Sequence, residues 1–135
     1  MVTPKRILLL GAETDLGSET ASALADSGHT LALIASSPDA ESAFAVQRLA
    51  RKLNAAASQA IDARNDTAVR VMVRQVSKQL GGLDAAVLCV ENEPARTSLA
   101  AYAGKEKGRG GPPSVIDAAR GDDVHSALAA PSDTA

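Results

Sequence analysis

Two glycines near the start of the chain, Gly11 and Gly17, have a spacing that could bind an anion through the backbone. They lie between an aliphatic run at residues 7–10, which predicts a buried strand, and residues 16–27, which are predicted to form a helix. A strand that enters a helix through a glycine turn points backbone N–H groups, and the positive end of the helix dipole, at a phosphate. The spacing therefore indicates a pyrophosphate-binding loop, and the alternative is an ordinary strand–helix turn whose glycines serve packing.

The elements that would position this loop alternate along the first 91 residues. Apolar runs predict strands at residues 7–10, 30–35, 55–61 and 85–90. Apolar residues at helical spacing predict helices at residues 16–27, 40–53 and 69–80, the last of them opened by Asn65 or Asp66 as the cap. Helices between short apolar strands imply right-handed crossovers and a parallel α/β sheet.

The composition changes at Pro94. From there to residue 135 large apolar residues are few, and the run Gly108-Arg109-Gly110-Gly111-Pro112-Pro113 interrupts any regular element. Because such a segment buries too little surface to offset its ordering entropy, we expect a disordered C-terminal tail with a short helix near residues 115–120. The expected division is a folded domain at residues 1–93 and a low-complexity tail at residues 94–135.

Several segments together resemble one family. The loop Gly11-Ala12-Glu13-Thr14-Asp15-Leu16-Gly17 resembles the G-x-x-x-G-x-G loop of short-chain dehydrogenases/reductases, with Asp15 in place of the middle glycine. Asp62-Ala63-Arg64-Asn65-Asp66 and Gly81-Gly82-Leu83-Asp84 resemble the middle of that family, and the shared order covers residues 5–90. The resemblance implies an incomplete doubly wound, Rossmann-like sheet of about four strands in the order 3-2-1-4, with helices on both faces. It also implies an NAD(P)-binding protein of oxidoreductase ancestry.

The resemblance further implies which residues would bind the cofactor. These are Gly11, Thr14, Asp15, Leu16, Gly17, Ser36, Ser37, Asp62 and Ala63. Asp62 and Ala63 would contact the adenine through the carboxylate and the backbone, and the alternative is that Asp62 only satisfies loop amides. Asp15 weakens the case, because a carboxylate at a helix N-terminus could occupy the anion site itself and repel a phosphate.

The choice of cofactor depends on the end of the second strand. An acidic residue there accepts a hydrogen bond from the ribose 2′-hydroxyl of NAD, whereas a basic residue favours the 2′-phosphate of NADP. This chain has Ala35, Ser36 and Ser37 at that position. The lack of a carboxylate and the two hydroxyls give a slight preference for NADP, and the alternative is a small polar turn before Pro38.

No residue of the chain matches the catalytic Tyr-x-x-x-Lys of the family. Tyr102 is the only tyrosine, Glu106 stands four residues after it, and Lys105 and Lys107 flank that position. We therefore transfer no catalytic role to these residues and expect them to be solvated. The family's Asn-Asn-Ala-Gly segment is replaced by Leu88-Cys89-Val90-Glu91, in which Cys89 is expected to be a buried, inert thiol.

Composition narrows the remaining possibilities. The net charge is −2, without a clustered basic face, and this gives no reason to expect a nucleic-acid partner. A single cysteine excludes a disulfide framework, no metal site is expected, and no segment is long enough to span a membrane. We expect a cytoplasmic protein whose exposed fourth-strand edge could pair with another copy or another chain.

Three functions remain open at this stage. The first is a truncated NAD(P)-binding protein that lacks its own catalytic residues. The second is a non-catalytic interaction or regulatory domain that keeps the fold without a dinucleotide. The third is a receiver-like phosphoacceptor, in which Glu13 and Asp15 would bind a metal and Asp62 would be phosphorylated.

Overall fold

The computed structural model describes residues 4–108 and 111–129, which form a layered α/β domain. Five strands alternate with helices along the chain. In order, the elements are β1 (Arg6–Leu10), α1 (Asp15–Asp26), β2 (Thr30–Ala35), α2 (Ala40–Leu53), β3 (Ala57–Ala60), α3 (Asp66–Leu80), β4 (Ala85–Leu88), α4 (Glu93–Ala103), β5 (Ser114–Asp117), a 3-10 turn (Ala118–Arg120) and α5 (Val124–Ala129).

The strands form one parallel sheet in the order β3-β2-β1-β4-β5. Its central strand β1 pairs with β2 in the register Leu8↔Ala32 and with β4 in the register Leu8↔Ala86. The predicted doubly wound fold and the order 3-2-1-4 are therefore confirmed, and a fifth strand extends the sheet beyond β4.

The core has two layers because successive side chains of a strand point to opposite faces of the sheet. Along β1, Ile7 and Leu9 face one layer, whereas Leu8 and Leu10 face the other, and all four are fully buried. The first layer is completed by α1, α2 and α5, and the second by α3 and α4. Since both faces of the sheet are covered, its inner strands β1, β2 and β4 are nearly continuous apolar runs rather than alternating ones.

Polar caps fix where the helices begin and end. The side chains of Thr14, Asp39 and Asn65 accept hydrogen bonds from the first turns of α1, α2 and α3, respectively. Asn65 is thus the cap of the third helix, one of the two residues predicted for that role. At its other end α3 stops at Gly81, whose φ of 75° is readily adopted only by glycine.

The structure differs from the expectation of a disordered tail over the described residues after Pro94. Helix α4 packs Ala95, Leu99 and Ala103 into the second core layer, and Ile116 of β5 lies in the first. These few apolar residues are sufficient because each is fully or almost fully buried. Residues 109–110 and 130–135 of the predicted tail lie outside the described residues.

Two corrections follow from β5. The helix expected near residues 115–120 is wrong in its first half, because Ser114–Asp117 is a strand and only Ala118–Arg120 turns helically. The fourth strand is not an exposed edge, since β5 pairs along all of β4, from Ala85↔Ser114 to Leu88↔Asp117. Among the described residues, no helix has both the length and the apolar character needed to cross a membrane.

Candidate functional site

The sequence-predicted site residues lie at one edge of the sheet, where parallel strands end. Gly11 follows β1, Ser36 and Ser37 follow β2, and Asp62 and Ala63 follow β3. Backbone hydrogen bonds join these ends: the Gly11 amide donates to the Ile34 carbonyl at 2.8 Å and the Ala63 amide to the Ser36 carbonyl at 3.1 Å. This is the edge at which open α/β sheets bind their ligands.

The two loop glycines permit a close approach between α1 and the end of β1. A Cβ atom on Gly17 would lie 2.1 Å from the carbonyl oxygen of Gly11, a separation that no side chain can occupy. Gly11 has a φ of 98°, and a Cβ there would lie 3.1 Å from the carbonyl carbon of Cys89. The first turn of α1 therefore lies directly against the loop, so that its N-terminus faces the edge of the sheet.

Thr14 connects this loop to β4. Its hydroxyl oxygen accepts a hydrogen bond from the Gly17 amide at 2.9 Å. The same hydroxyl lies 2.8 Å from the Gly11 carbonyl and 3.2 Å from the Cys89 carbonyl, the two acceptors for its proton. Thr14 is thus engaged in holding the loop, and its hydroxyl is not a spare donor for a ligand.

The unused donors of the loop are backbone amides. The amides of Asp15 and Leu16 begin α1 and make no hydrogen bond with any residue that the structure describes. The exposed Asp15 carboxylate likewise contacts none of the described residues by a hydrogen bond or ion pair, so it does not cap these amides. Two aligned N–H groups at a helix N-terminus are suited to binding an anion, and none of the residues that the structure describes takes that place.

Carboxylates surround the end of β2, although the strand itself ends in small residues. The Ser36 amide donates to Oε1 of Glu13 at 3.0 Å, and the Ser36 hydroxyl donates to Oε2 of the same carboxylate. The Ser37 hydroxyl donates to Oδ2 of Asp39 at 2.6 Å, and this bond is the main reason why the pKa of Asp39 lies below its usual range. Both hydroxyls that the sequence offered to a 2′-phosphate are therefore occupied.

From the sequence, Glu13 has a role only in the receiver-like alternative. Its contact with Ser36 joins residues 23 positions apart, and no local pattern signals such a pair. The one available signal is that Glu13 stands in the glycine loop, which the fold places beside the end of β2.

The end of β3 is arranged by Asp62. Its Oδ1 accepts from the Arg64 amide at 3.0 Å and lies 3.4 Å from the Arg64 Nε, so the carboxylate closes its own turn. Ala63 is fully buried. The structure thus shows Asp62 satisfying a loop amide, as in the alternative interpretation, while its Oδ2 makes no hydrogen bond within the described part of the chain.

The ends of β4 and β5 carry a different arrangement, which we call the Arg96 cluster. Arg96 bonds to Asp117, to Glu91 at 2.8 Å and to Glu93 at 2.8 Å, and its side chain is only 16% exposed. Arg120 lies 2.9 Å from the same Glu93 oxygen and 3.5 Å from Glu91. The contacts with Asp117 and Glu91 raise the pKa of Arg96 above its usual range, so it is a fixed cation and cannot transfer protons.

Cys89 directly follows β4 and is chemically unreactive. It is buried, and burial is the main cause that raises the pKa of its thiol to about 11. Since the thiolate is the nucleophilic form, this cysteine is unreactive near neutral pH, as expected from the sequence.

Tyr102 is not the solvated residue that the sequence suggested. It lies on α4 and donates to Oδ2 of Asp66 at 2.6 Å, while Ser98 donates to Oδ1 at 2.8 Å. The hydrogen bond to Asp66 raises the pKa of Tyr102. The tyrosine therefore ties α4 to the start of α3, whereas Lys105 and Lys107 are exposed.

The acids of the receiver-like alternative do not form a metal centre. Glu13 is hydrogen-bonded to Ser36 and Asp62 to Arg64, and Asp15 shares no hydrogen-bond partner with either acid among the described residues. Within residues 4–108 and 111–129, no group of three or more His, Cys, Asp or Glu side chains could hold a metal ion.

A family model described as "Enoyl-(Acyl carrier protein) reductase" matches residues 11–104, which is more than half of the chain. The chain belongs to the short-chain dehydrogenase/reductase family. The matched segment runs from the first loop glycine to the end of α4, so it includes every predicted cofactor-binding residue. No curated protein sequence matches the chain.

Solved structures of the same family share the fold. A short-chain type dehydrogenase/reductase from Mycobacterium ulcerans is 22% identical with a TM-score of 0.67, covering 87% of this chain and 52% of its own. NAD+-bound xylitol dehydrogenase is 25% identical with a TM-score of 0.52, over 62% of this chain and 32% of that one.

NADPH-dependent 3-quinuclidinone reductase from Rhodotorula rubra is 20% identical with a TM-score of 0.50, over 62% of this chain and 31% of its own. The chain thus spans about half, or less, of the length of these relatives.

Proposed function

We propose that this chain binds a nicotinamide adenine dinucleotide through its adenosine and pyrophosphate half and does not by itself transfer hydride. The observation that carries the proposal is the pair of unengaged amides of Asp15 and Leu16, at a helix N-terminus that Gly17 brings against the end of β1. A pyrophosphate supplies the charge and the acceptors that such a position lacks. Relatives described as NAD+-bound and NADPH-dependent support a nicotinamide dinucleotide as the ligand class.

The other predicted residues divide into supports and contacts. Gly11 and Gly17 provide the space for the backbone to approach the pyrophosphate, and Thr14 holds the loop in place. The Oδ2 atom of Asp62 has no hydrogen-bond partner among the described residues, so it can accept a hydrogen bond from the adenine. Ala63 can contribute only its carbonyl, because its amide is bound to Ser36.

The proposal that the chain does not transfer hydride by itself rests on the residues that occupy the rest of the sheet edge. Tyr102 is bound to Asp66, and the Arg96 cluster occupies the ends of β4 and β5. Neither an arginine with a raised pKa nor a buried thiol can exchange a proton with a substrate near neutral pH. Turnover would therefore require catalytic residues supplied from outside the described residues, by further chain or by a partner.

The second candidate is an interaction or regulatory domain that keeps the fold without the ligand. The observation in its favour is the exposed Asp15, whose charge next to the unengaged amides opposes a phosphate. A homo- or hetero-oligomer would then use β5 rather than β4, because β5 covers the edge of β4. Cytoplasmic location and a lack of nucleic-acid partners remain predictions from composition.

A pair of substitutions at Asp15 tests the proposal. Asp15→Pro removes one anion-binding amide, and a proline is tolerated there because it opens the helix and because Thr14 has an extended backbone with ψ of 162°. Asp15→Ala is the matched control, since it also loses the carboxylate but keeps the amide. We expect calorimetry to show NADH binding about tenfold more weakly to Asp15→Pro than to Asp15→Ala.

Equal affinity of the two variants would show that the amide does not contact the dinucleotide. If the folded wild-type protein is not stabilised against heat by millimolar NADH or NADPH, the dinucleotide proposal is wrong and the interaction domain replaces it.

A further inference from the structure

We propose that Glu13 selects a dinucleotide with a free ribose 2′-hydroxyl and rejects a 2′-phosphate, so that the chain prefers NAD over NADP. This inference rests on the proposed function, because it concerns the ribose end of the same ligand. It reverses the slight preference for NADP that the serines at the end of β2 suggest from sequence.

The Glu13 carboxylate is held in a fixed position. One of its oxygens accepts from the Ser36 amide at 3.0 Å and the other accepts from the Ser36 hydroxyl, so a single residue holds both oxygens. The side chain is half-buried, and it reaches from the loop after β1 to the end of β2. Glu13 thereby places a carboxylate at the end of the second strand, the region in which the acid that binds the ribose 2′-hydroxyl lies in NAD-binding sheets.

A 2′-phosphate would require hydrogen-bond donors at the end of β2. The Ser36 amide and both serine hydroxyls are already engaged: the Ser36 amide and hydroxyl donate to Glu13, and the Ser37 hydroxyl donates to Asp39. A phosphate is an acceptor with about two negative charges near neutral pH, so it finds acceptors where it needs donors. A ribose hydroxyl is a donor and can share the remaining lone pairs of the Glu13 carboxylate.

A 2′-phosphate would also require a basic side chain to compensate its negative charge. Within residues 4–108 and 111–129, neither Glu13 nor Asp39 forms an ion pair with a basic side chain. The basic residue on the neighbouring β3 loop, Arg64, has its Nε directed at Asp62 at 3.4 Å. The end of β2 therefore has a net negative character, which favours a neutral hydroxyl and opposes a phosphate.

The experiment compares two neutralised carboxylates of the same loop. Dissociation constants of NADH and NADPH are measured by calorimetry for the wild-type chain, for Glu13→Gln and for Asp15→Asn, after circular dichroism has shown each protein to be folded. We expect wild type to bind NADH at least about tenfold more tightly than NADPH. Glu13→Gln should reduce this ratio to about threefold or less, mainly by tightening NADPH, because the amide keeps the shape and loses the charge.

Asp15→Asn is the matched control, because it removes the same charge beside the shared pyrophosphate and should change both affinities by a similar factor. If Glu13→Gln leaves the ratio unchanged, or if wild type prefers NADPH, the role of Glu13 is overturned while dinucleotide binding stands. If neither dinucleotide binds any of the proteins, the proposed function fails as well.

A measurement on wild type alone covers the case in which Glu13→Gln does not fold. Adenosine 5′-monophosphate and adenosine 2′,5′-bisphosphate differ only in the 2′-phosphate. We expect the monophosphate to bind at least about fivefold more tightly. Tighter binding of the bisphosphate would contradict the inference.

Discussion

Both halves of the sheet edge are formed by the carboxyl ends of parallel strands. They differ in whether their polar groups already have partners. At the β1 end, the amides of Asp15 and Leu16 have no partner among the described residues. At the β4–β5 end, Arg96 and Arg120 are neutralised by acidic neighbours. We propose that a ligand completes the first surface, whereas the polar groups of the second are already satisfied among the described residues.

The two ends of the edge share the family fold, but they do not share the same kind of polar groups, although they belong to a single domain. The parallel sheet places both regions at the carboxyl ends of strands, where such folds bind ligands. Binding, however, needs polar groups that the protein leaves unsatisfied, and catalysis needs groups that can exchange a proton. Among the described residues, unsatisfied donors are found at the end of β1, and this is why we propose cofactor binding there and no hydride transfer by the chain alone.

The largest expected effect comes from breaking the loop at Gly17. In Gly17→Ala the new Cβ would meet the Gly11 carbonyl at 2.1 Å, so α1 must move away from the end of β1. We expect a loss of about 3 kcal/mol or more in the free energy of unfolding, measured with urea, and the loss of dinucleotide binding.

Gly28→Ala is the control for this substitution. Gly28 has a φ of 86° but no atom within 4 Å of a new Cβ, so the cost is backbone strain alone, about 1 kcal/mol. Equal losses for the two variants would mean that the close approach at Gly17 costs no more than ordinary backbone strain, and the steric account of the loop would be wrong.

The Arg96 cluster is tested by Arg96→Met, which keeps an unbranched apolar stem and removes the guanidinium with its charge. The variant leaves the acids Glu91, Glu93 and Asp117 repelling one another, so the midpoint of urea unfolding should fall, though less than in Gly17→Ala. Molar salt should narrow the gap to wild type, because the two glutamates are largely exposed and their repulsion is screened.

Arg120→Met is the matched control for the cluster. Arg120 shares both glutamates but is 56% exposed, so its removal should cost less than that of Arg96. If dinucleotide affinity changes with either variant, the two regions are not independent and the comparison above fails.

The smallest effect is expected from Tyr102→Phe, and it should depend on pH. The pKa of Asp66 lies below its usual range, chiefly because the Tyr102 hydroxyl donates to the carboxylate. A lowered carboxyl pKa contributes stability above the unfolded value, near pH 4, and loses it as the pH falls through the folded value. The midpoint difference between wild type and Tyr102→Phe should therefore be present at pH 7 and shrink as the pH falls below the unfolded value, about 4.

The same substitution in an Asp66→Asn background provides the check. Without an ionisable partner, removal of the tyrosine hydroxyl should have an effect that does not change with pH. A pH-dependent difference that persists in this background would assign the titration to another group.

The sequence predicts the first half of the fold well. Strand β2 and helix α2 have the bounds predicted from apolar runs and helical spacing, and the other elements up to β4 differ at their ends by a few residues. Hydrophobic periodicity is a local signal, and these elements are long or strongly apolar enough to display it.

The second half escaped prediction because its burial is sparse. Strand β5 has four residues, of which only Ile116 is buried, and helix α4 is anchored mainly by alanines and Leu99. A low count of large apolar residues is typical of disorder, and only their placement against the sheet reveals the fold. The contacts of Glu13 and Tyr102 were missed for a related reason, since both pair with residues distant in the sequence.

The central claim is that one end of the sheet edge accepts the adenosine and pyrophosphate half of a dinucleotide while the other end offers nothing to the nicotinamide. Calorimetric titration of ADP-ribose, NADH and nicotinamide mononucleotide against the wild-type chain tests it most directly. We expect ADP-ribose to bind within about threefold of NADH and the mononucleotide to show no binding at millimolar concentration. NADH affinity more than about tenfold above that of ADP-ribose, or measurable binding of the mononucleotide, would contradict the claim.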